Sequence, residues 1–392
     1  MTATRLSGAT IVLPDRVLAP GTLVIEDGRI VELSPAAARG ERDLRGHFIV
    51  PGFIDVHVHG VEGHDSLDGG RAVAEIARRL PRFGVTAFCP TSVACTPQDL
   101  RDMLRAIREA RERPDPSSAR VLPAHLESNF INPEFKGAQP LACIRAPREA
   151  REGDFSGQEI LDEIAASRPD VGIVTLAPEV DGVLELIPEL VRHGHRVSIG
   201  HSAANYEQAR AGIAAGARHA THLFNRMTPL HHREPGMVGA VLESEEVAAE
   251  IVCDGVHVHP AAIRTAVAAK GASRIMAITD GTAGSGLPQE SRATLGGRTI
   301  TVRDAAYLDD GTLAGSVLTM DRGFEFLVRR MGFSLIDATH LCSTTPAREL
   351  GLHGSGVIAT GALADLVLLD EHFRVVETYI SGVRVMPEQP HH

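Results

Sequence analysis

Eight short β-branched or apolar runs constrain this 392-residue chain more than any other feature. They fall at 53–59, 86–91, 120–127, 171–176, 196–201, 220–224, 250–256 and 274–279. Helical patterns separate most of them, at 71–83, 100–113, 157–167, 184–193, 206–215 and 261–270. Strand–helix alternation means parallel strands joined by crossover helices. Eight such runs fit a closed α/β barrel of the (β/α)8 TIM type better than an open, doubly wound sheet. The Gly-rich stretch 281–320 suits no helix and reads as an inserted loop or hairpin.

Both ends of the chain look different. Alternating residues at 22–26 and 29–33 flank Asp27–Gly28, a strong hairpin signal. The tail repeats the pattern at 363–369, 375–380 and 383–386, with Ser381–Gly382 as a turn. The expected organisation is a small β-sandwich domain built from both termini, 1–50 and 355–392. A barrel domain at 51–354 lies between them.

Composition removes several classes of function. With 39 Lys+Arg against 50 Asp+Glu, the net charge is −11. That argues against nucleic-acid or membrane-surface partners, which call for basic patches. No apolar run approaches the roughly 18 residues of a membrane span, and the N-terminus lacks a signal peptide's apolar core. Five scattered Cys suggest no disulfide framework and a cytoplasmic setting. His391–His392 read as a tag remnant and are set aside.

There are 19 His but only two Lys, Lys136 and Lys270. Barrel active sites lie at the C-terminal ends of the strands, so what closes each run matters. The first ends in His57-Val58-His59, the third in His125-Leu126-Glu127, the fifth in His201 and the sixth in His222. The seventh runs into Asp254 and His257, and the eighth ends in Asp280. Imidazole or carboxylate at one end of six strands is hard to assign to packing.

His57 and His59 share a face by the period of two, although a surface strand would look the same. Glu127, His201 and His222 supply two imidazoles and a carboxylate, a set suited to zinc, with iron or manganese as alternatives. Asp280 is the candidate proton shuttle for amide hydrolysis. A turn Asp before Gly281 is the plainer reading.

These residues sit in motifs that resemble a known family. Pro51-Gly52-Phe53-Ile54-Asp55-Val56-His57-Val58-His59-Gly60 is similar to the opening signature of the amidohydrolase superfamily. Further motifs narrow the resemblance to the N-acetylglucosamine-6-phosphate deacetylase family. They include Phe130-Ile131-Asn132-Pro133, Gly200-His201-Ser202, Thr221-His222-Leu223-Phe224-Asn225, Arg233-Glu234-Pro235-Gly236, Asp254-Gly255-Val256-His257, Thr279-Asp280-Gly281 and Leu313-Ala314-Gly315-Ser316. The resemblance covers nearly the whole chain.

It implies a metal-dependent hydrolase that removes acetate from an amino-sugar phosphate, with one or two ions per subunit. Glu127, His201 and His222 would hold the main ion. His57 and His59 would hold a second, with Glu127 bridging, and Asp280 would be the acid/base. Asn225, Arg233 and His257 match substrate-binding positions, Arg233 serving phosphate, at times across the interface of a homodimer. Many relatives bridge two metals with a carbamylated Lys from the fourth strand. Here 171–179 holds none, which disfavours dihydroorotase- or urease-type chemistry.

The chain departs from the family at Ser128-Asn129, Gln139, Arg226 and 281–286. These changes are expected around the substrate, so Gln139 and Arg226 join the candidate substrate-binding residues. Other N-acyl amino sugars, including N-acetylgalactosamine 6-phosphate and unphosphorylated sugars, stay open as substrates. A cyclic amidohydrolase, a nucleobase deaminase and a non-catalytic scaffold are the competing readings. His47, His64, His193, His195, His219, His340, His353 and His372 are expected on surfaces or in turns, and Cys89 and Cys253 as packed strand residues.

Overall fold

The computed structural model describes residues 3–35 and 44–385, so Met386 and His391–His392 lie outside it. Eight parallel strands form the expected barrel: Phe53–Val58, Val85–Ser92, Ala124–Leu126, Val171–Leu176, Arg196–Ile199, His219–Ala220, Ala248–Val252 and Ile275–Ile278. Adjacent strands are hydrogen-bonded from the first to the eighth. Closure comes just beyond the last strand. The Asp280 amide donates to the His57 carbonyl at 2.9 Å, and the His59 amide to the Gly281 carbonyl at 2.8 Å. The bonds that seal the barrel therefore also fix His57, His59 and Asp280 relative to one another.

The crossover helices carry the start signals that their sequences promise. Thr96 caps Pro97–Glu112, and Ser156 with Glu159 and Asn205 with Gln208 form reciprocal capping boxes. Several helices escape the sequence pattern, among them the one before the seventh strand. Gly236–Glu243 begins on Gly and carries Gly239 inside, both poor helix formers. Burial of Met237, Val238, Ala240 and Val241 holds it in place.

Val17–Glu26 and Arg29–Ser34 form the expected N-terminal hairpin, in one seven-stranded sheet with Thr4–Val12, Phe48–Pro51, Leu366–Leu369, Val375–Ile380 and Val383–Val385. Phe48–Pro51 joins the two termini by pairing with Thr4–Val12 on one side and Leu366–Leu369 on the other. The sheet folds over until its ends meet. The Ala364 amide donates to the Gly28 carbonyl at 2.8 Å, and a Cβ on Gly28 would lie 2.7 Å from the Ser381 carbonyl oxygen. Leu6, Ile11, Leu23, Ile30 and Ile49 fill the interior of this sandwich. Alternation along Leu366–Leu369 sends Leu366 and Leu368 into that core and Val367 and Leu369 against the barrel.

The Gly-rich insertion is a three-stranded antiparallel sheet, Arg292–Leu295, Arg298–Val302 and Ala306–Leu308. Arg298 ties it to the Ala138 carbonyl beside the barrel mouth. Two of the histidines expected at the surface are buried instead. His195 is bound to the Val171 carbonyl at 2.9 Å, and His219 lies within the sixth strand. The five cysteines are free thiols, Cys89 and Cys253 among the buried ones. No helix among the described residues is long and apolar enough to cross a membrane.

Candidate active site

Strand ends bring Glu127, His201 and His222 together at the C-terminal mouth of the barrel. The Nε2 atoms of His201 and His222 each lie 2.8 Å from Glu127 Oε1 and 3.0 Å from each other. His57, His59 and Asp280 form a second group beside them. The two Nε2 atoms and Asp280 Oδ1 are 3.3 Å apart in every pairing. Glu127 faces both groups, with Oε2 3.5 Å from His59 Nε2. All six side chains are buried.

Local backbone turns these side chains inward. His201, His222 and Asp280 have φ of 48°, 32° and 48°, a left-handed conformation that costs non-glycine residues energy. Such strain persists only where surrounding structure enforces it, and it clusters at functional sites. Gly60 follows His59 because a Cβ there would lie 2.1 Å from the His64 carbonyl oxygen.

Tautomers explain why a cation fits. His201 Nδ1 lies 2.8 Å from the Phe135 carbonyl, so the neutral ring presents a lone pair at Nε2. That lone pair faces a carboxylate oxygen. Two electron-rich atoms at 2.8 Å repel unless a proton or a metal ion lies between them. Burial alone lowers histidine basicity, yet the Asp280 and Glu127 carboxylates outweigh it and push His59 up to about 10. Glu127 similarly lifts His222 to about 9. Burial acts to raise Glu127 too, but the facing imidazoles hold it well below the usual carboxylate range. Sites that hold protons this tightly are sites built for positive charge. A tetrahedral ion with bonds of about 2.0–2.1 Å has its ligand atoms about 3.3–3.4 Å apart. The second group has that spacing as it stands, and the first is a few tenths of an ångström tighter. Among the described residues, both groups are able to hold a metal ion.

The expected substrate residues divide. A cleft over these two groups is lined by Asn225, His257, Gln139 and Arg226, with Ala314 and Gly315 reaching in beyond the inserted sheet. His257 Nδ1 is held by Asp254 Oδ2 at 2.6 Å, and its Nε2 is buried without a protein partner. Gln139 is engaged at both ends, accepting from the Ala94 amide at 2.7 Å and donating to Glu127. Arg233 is outside the cleft. It is exposed and lines a separate depression with Tyr206 and Glu234.

The departures do not all surround the substrate. Ser128 and Asn129 turn away, donating to the carbonyls of Thr175, Cys95 and Cys143. Neither lines the cleft. The same holds for 281–286, whose Gly281 takes part in barrel closure.

Sequence reasoning also missed Glu250 in the seventh strand, whose Oε2 lies 2.9 Å from His57 Nδ1. A lone carboxylate inside the apolar run 248–252 was the available signal. Neither lysine takes part. Lys136 bonds the Gly137 carbonyl, and Lys270 bonds the carbonyls of Val241 and Ser244.

Residues 48–385 match the model of the amidohydrolase family. The chain is 37% identical over 398 residues to the N-acetylglucosamine-6-phosphate deacetylase of Rattus norvegicus, covering 96% of this chain and 92% of that one. It is 36% identical to the N-acetylgalactosamine-6-phosphate deacetylase of Escherichia coli O157:H7, covering 92% and 93%. Among solved structures, a mutant N-acetyl-D-glucosamine-6-phosphate deacetylase of Mycobacterium smegmatis in complex with N-acetyl-D-glucosamine-6-phosphate has a TM-score of 0.90 and 32% identity, covering 98% of this chain and all of that one. The Thermotoga maritima deacetylase gives 0.85 and 34%, with the same coverage. The chain belongs to the amidohydrolase family and, within it, to the N-acetylglucosamine-6-phosphate deacetylase family.

Proposed function

We propose that this chain is a metal-dependent hydrolase that cleaves the N-acetyl amide of N-acetyl-D-glucosamine 6-phosphate, releasing acetate and the free amino sugar phosphate. The observation that carries the reading is the convergence of Glu127, His201 and His222 beside Asp280, at the base of a polar cleft. Glu127, His201 and His222 are assigned to the main ion, and His57 and His59 to a second. Zinc suits imidazole and carboxylate donors, with iron or manganese as alternatives. When bound, such an ion lowers the pKa of its water towards about 7 and polarises the amide carbonyl.

Asp280 does the proton work. Burial acts to raise it, but the facing His57 and His59 hold it below the usual carboxylate range, so it stands as a base. It takes one proton from the attacking water and returns it to the departing nitrogen as the C–N bond breaks. His257 Nε2, buried and unpartnered, is placed to accept from a sugar hydroxyl. Asn225 lies beside it on the cleft wall. Gln139 steadies the Glu127 carboxylate while lining the cleft.

Phosphate recognition falls to two arginines. Arg226 lines the cleft of its own subunit. Its backbone is left-handed at φ 53°, and Gly137 makes room for it, since a Cβ there would lie 2.9 Å from Arg226 Nε. Arg233 faces away from its own cleft, which supports a role in the neighbouring site of a homodimer. We place the enzyme in the cytoplasm.

A metal-replete assay of acetate release tests the reading. The panel is N-acetylglucosamine 6-phosphate, its galacto isomer and both unphosphorylated sugars. The highest kcat/KM is expected for the gluco phosphate. Ammonia release from a heterocycle with no acetate from any sugar would overturn it.

A further inference from the structure

Glu250 belongs to none of the roles above, yet it is a fully buried carboxylate at the heart of the barrel. Its Oε2 lies 2.9 Å from His57 Nδ1. Among the described residues its Oε1 has no hydrogen-bond partner, and His125 Nδ1 lies 3.7 Å from it. His125 is engaged elsewhere: Nδ1 lies 2.9 Å from the Val56 carbonyl and Nε2 2.8 Å from Thr175 Oγ1. Among the described residues, no lysine or arginine hydrogen-bonds or ion-pairs with Glu250.

A buried carboxylate left unpaired is strongly unfavourable. Here, among the described residues, the one hydrogen-bond partner of the carboxylate is His57 Nδ1. The proton on Nδ1 points at Glu250, which leaves the Nε2 lone pair pointing into the mouth of the barrel. There it meets His59 Nε2 and Asp280 Oδ1, each at 3.3 Å. The negative charge of Glu250 is thus linked through one imidazole to the place where a cation would lie. Carboxylate–histidine–metal relays have this form, and they raise the ligand's basicity while fixing its tautomer.

We infer that Glu250 is the positioning residue of the second cation site: it locks His57 with Nε2 toward His59 and makes those two imidazoles, facing Glu127 and beside the base Asp280, a divalent-metal site rather than a pair of packed histidines. This rests on the two-ion reading of the active site and not on the identity of the sugar. Glu250 touches neither ion nor substrate. Its loss therefore acts selectively, because the group of Glu127, His201 and His222 is fixed by other partners, among them Gln139 and the Phe135 carbonyl.

The test is zinc titrated into the metal-free protein, with bound ions counted by elemental analysis after dialysis. The wild type is expected to hold two ions per chain. E250Q, which keeps the shape of the side chain and removes its charge, is expected to bind the second ion about 10–100-fold more weakly. The first ion is expected to bind as in the wild type. H57A should lose the same second ion, and E250D should recover part of it. A general structural defect would weaken both ions together and would overturn the assignment.

E250Q that binds two ions with wild-type affinity would overturn the role of Glu250 alone. A wild type that never holds more than one ion would overturn the two-ion reading beneath it. Anomalous scattering from wild-type crystals soaked in manganese gives an answer even if the variants fail to fold. Density beside His57 Nε2, with Nδ1 still on Glu250, is the expected result. Density confined to Glu127, His201 and His222 would count against the proposal.

Discussion

The floor and the rim of the cleft are built on different principles. Every proposed metal ligand on the floor sits at or just beyond the end of a barrel strand, is buried, and touches another ligand within 3.5 Å. Parallel hydrogen-bond ladders set the heights of those strand ends, so the ligands converge without help from loops. The rim instead comes from connections. Arg226 is exposed there, the inserted sheet contributes Leu295, and Ala314 and Gly315 follow beyond it, while the exposed Arg233 stands outside the cleft of its own subunit. The contrast separates two duties. Rigid elements hold chemistry to fractions of an ångström, while loops can change substrate without disturbing it.

Metal removal should break the floor most completely. Chelation is expected to take acetate release below detection, and added zinc or manganese should restore it. Activity that survives exhaustive chelation would end the metal-dependent reading. Next in size is Asp280→Asn, for which kcat should fall by about 10²–10⁴-fold with metal content unchanged. Near-normal turnover would strip Asp280 of its role.

The rim should respond more mildly and more selectively. Arg233→Ala should lower kcat/KM for phosphorylated substrates by about 10–100-fold and leave unphosphorylated ones alone. Mixed dimers of R233A and D280N sharpen this. If Arg233 serves the neighbouring cleft, an active site forms from one intact Asp280 and one intact Arg233, and activity reappears. No recovery on mixing would place the residue in its own subunit or nowhere in the site. Arg226→Ala should cost less, about 3–10-fold, because a solvent-exposed cation contributes little on its own. A control far from both regions is Leu23→Ala in the terminal sandwich. Filling a core position, it should cost about 2–5 kcal/mol of stability with kcat unchanged, as read by denaturant unfolding and steady-state assay.

Much of this was legible because barrels repeat one signal eight times. Runs such as 120–127 and 196–201 carry strand composition, and their polar last residues, Glu127 and His201, mark the functional face. The helical patterns at 100–113, 157–167 and 206–215 match helices that Thr96, Ser156 and Asn205 cap. Gly236–Glu243 stayed hidden because burial, not propensity, makes it helical. His195 and His219 were misplaced because a histidine's burial depends on what packs over it. Ser128 and Asn129 looked like specificity changes, yet their side chains satisfy backbone carbonyls behind the cleft. Glu250 was overlooked because no neighbour in sequence hints that His57, 193 positions away, is its partner.

Residue order alone set the alternation of strands and helices, the polar strand ends and the candidate ligands, since period and composition are local properties. Only the folded barrel decided which imidazole nitrogen faces the cleft, that Arg233 looks outward, and that Glu250 stands behind His57. Those are relations between distant segments, and they exist only once the strands have closed and water has been driven from between them.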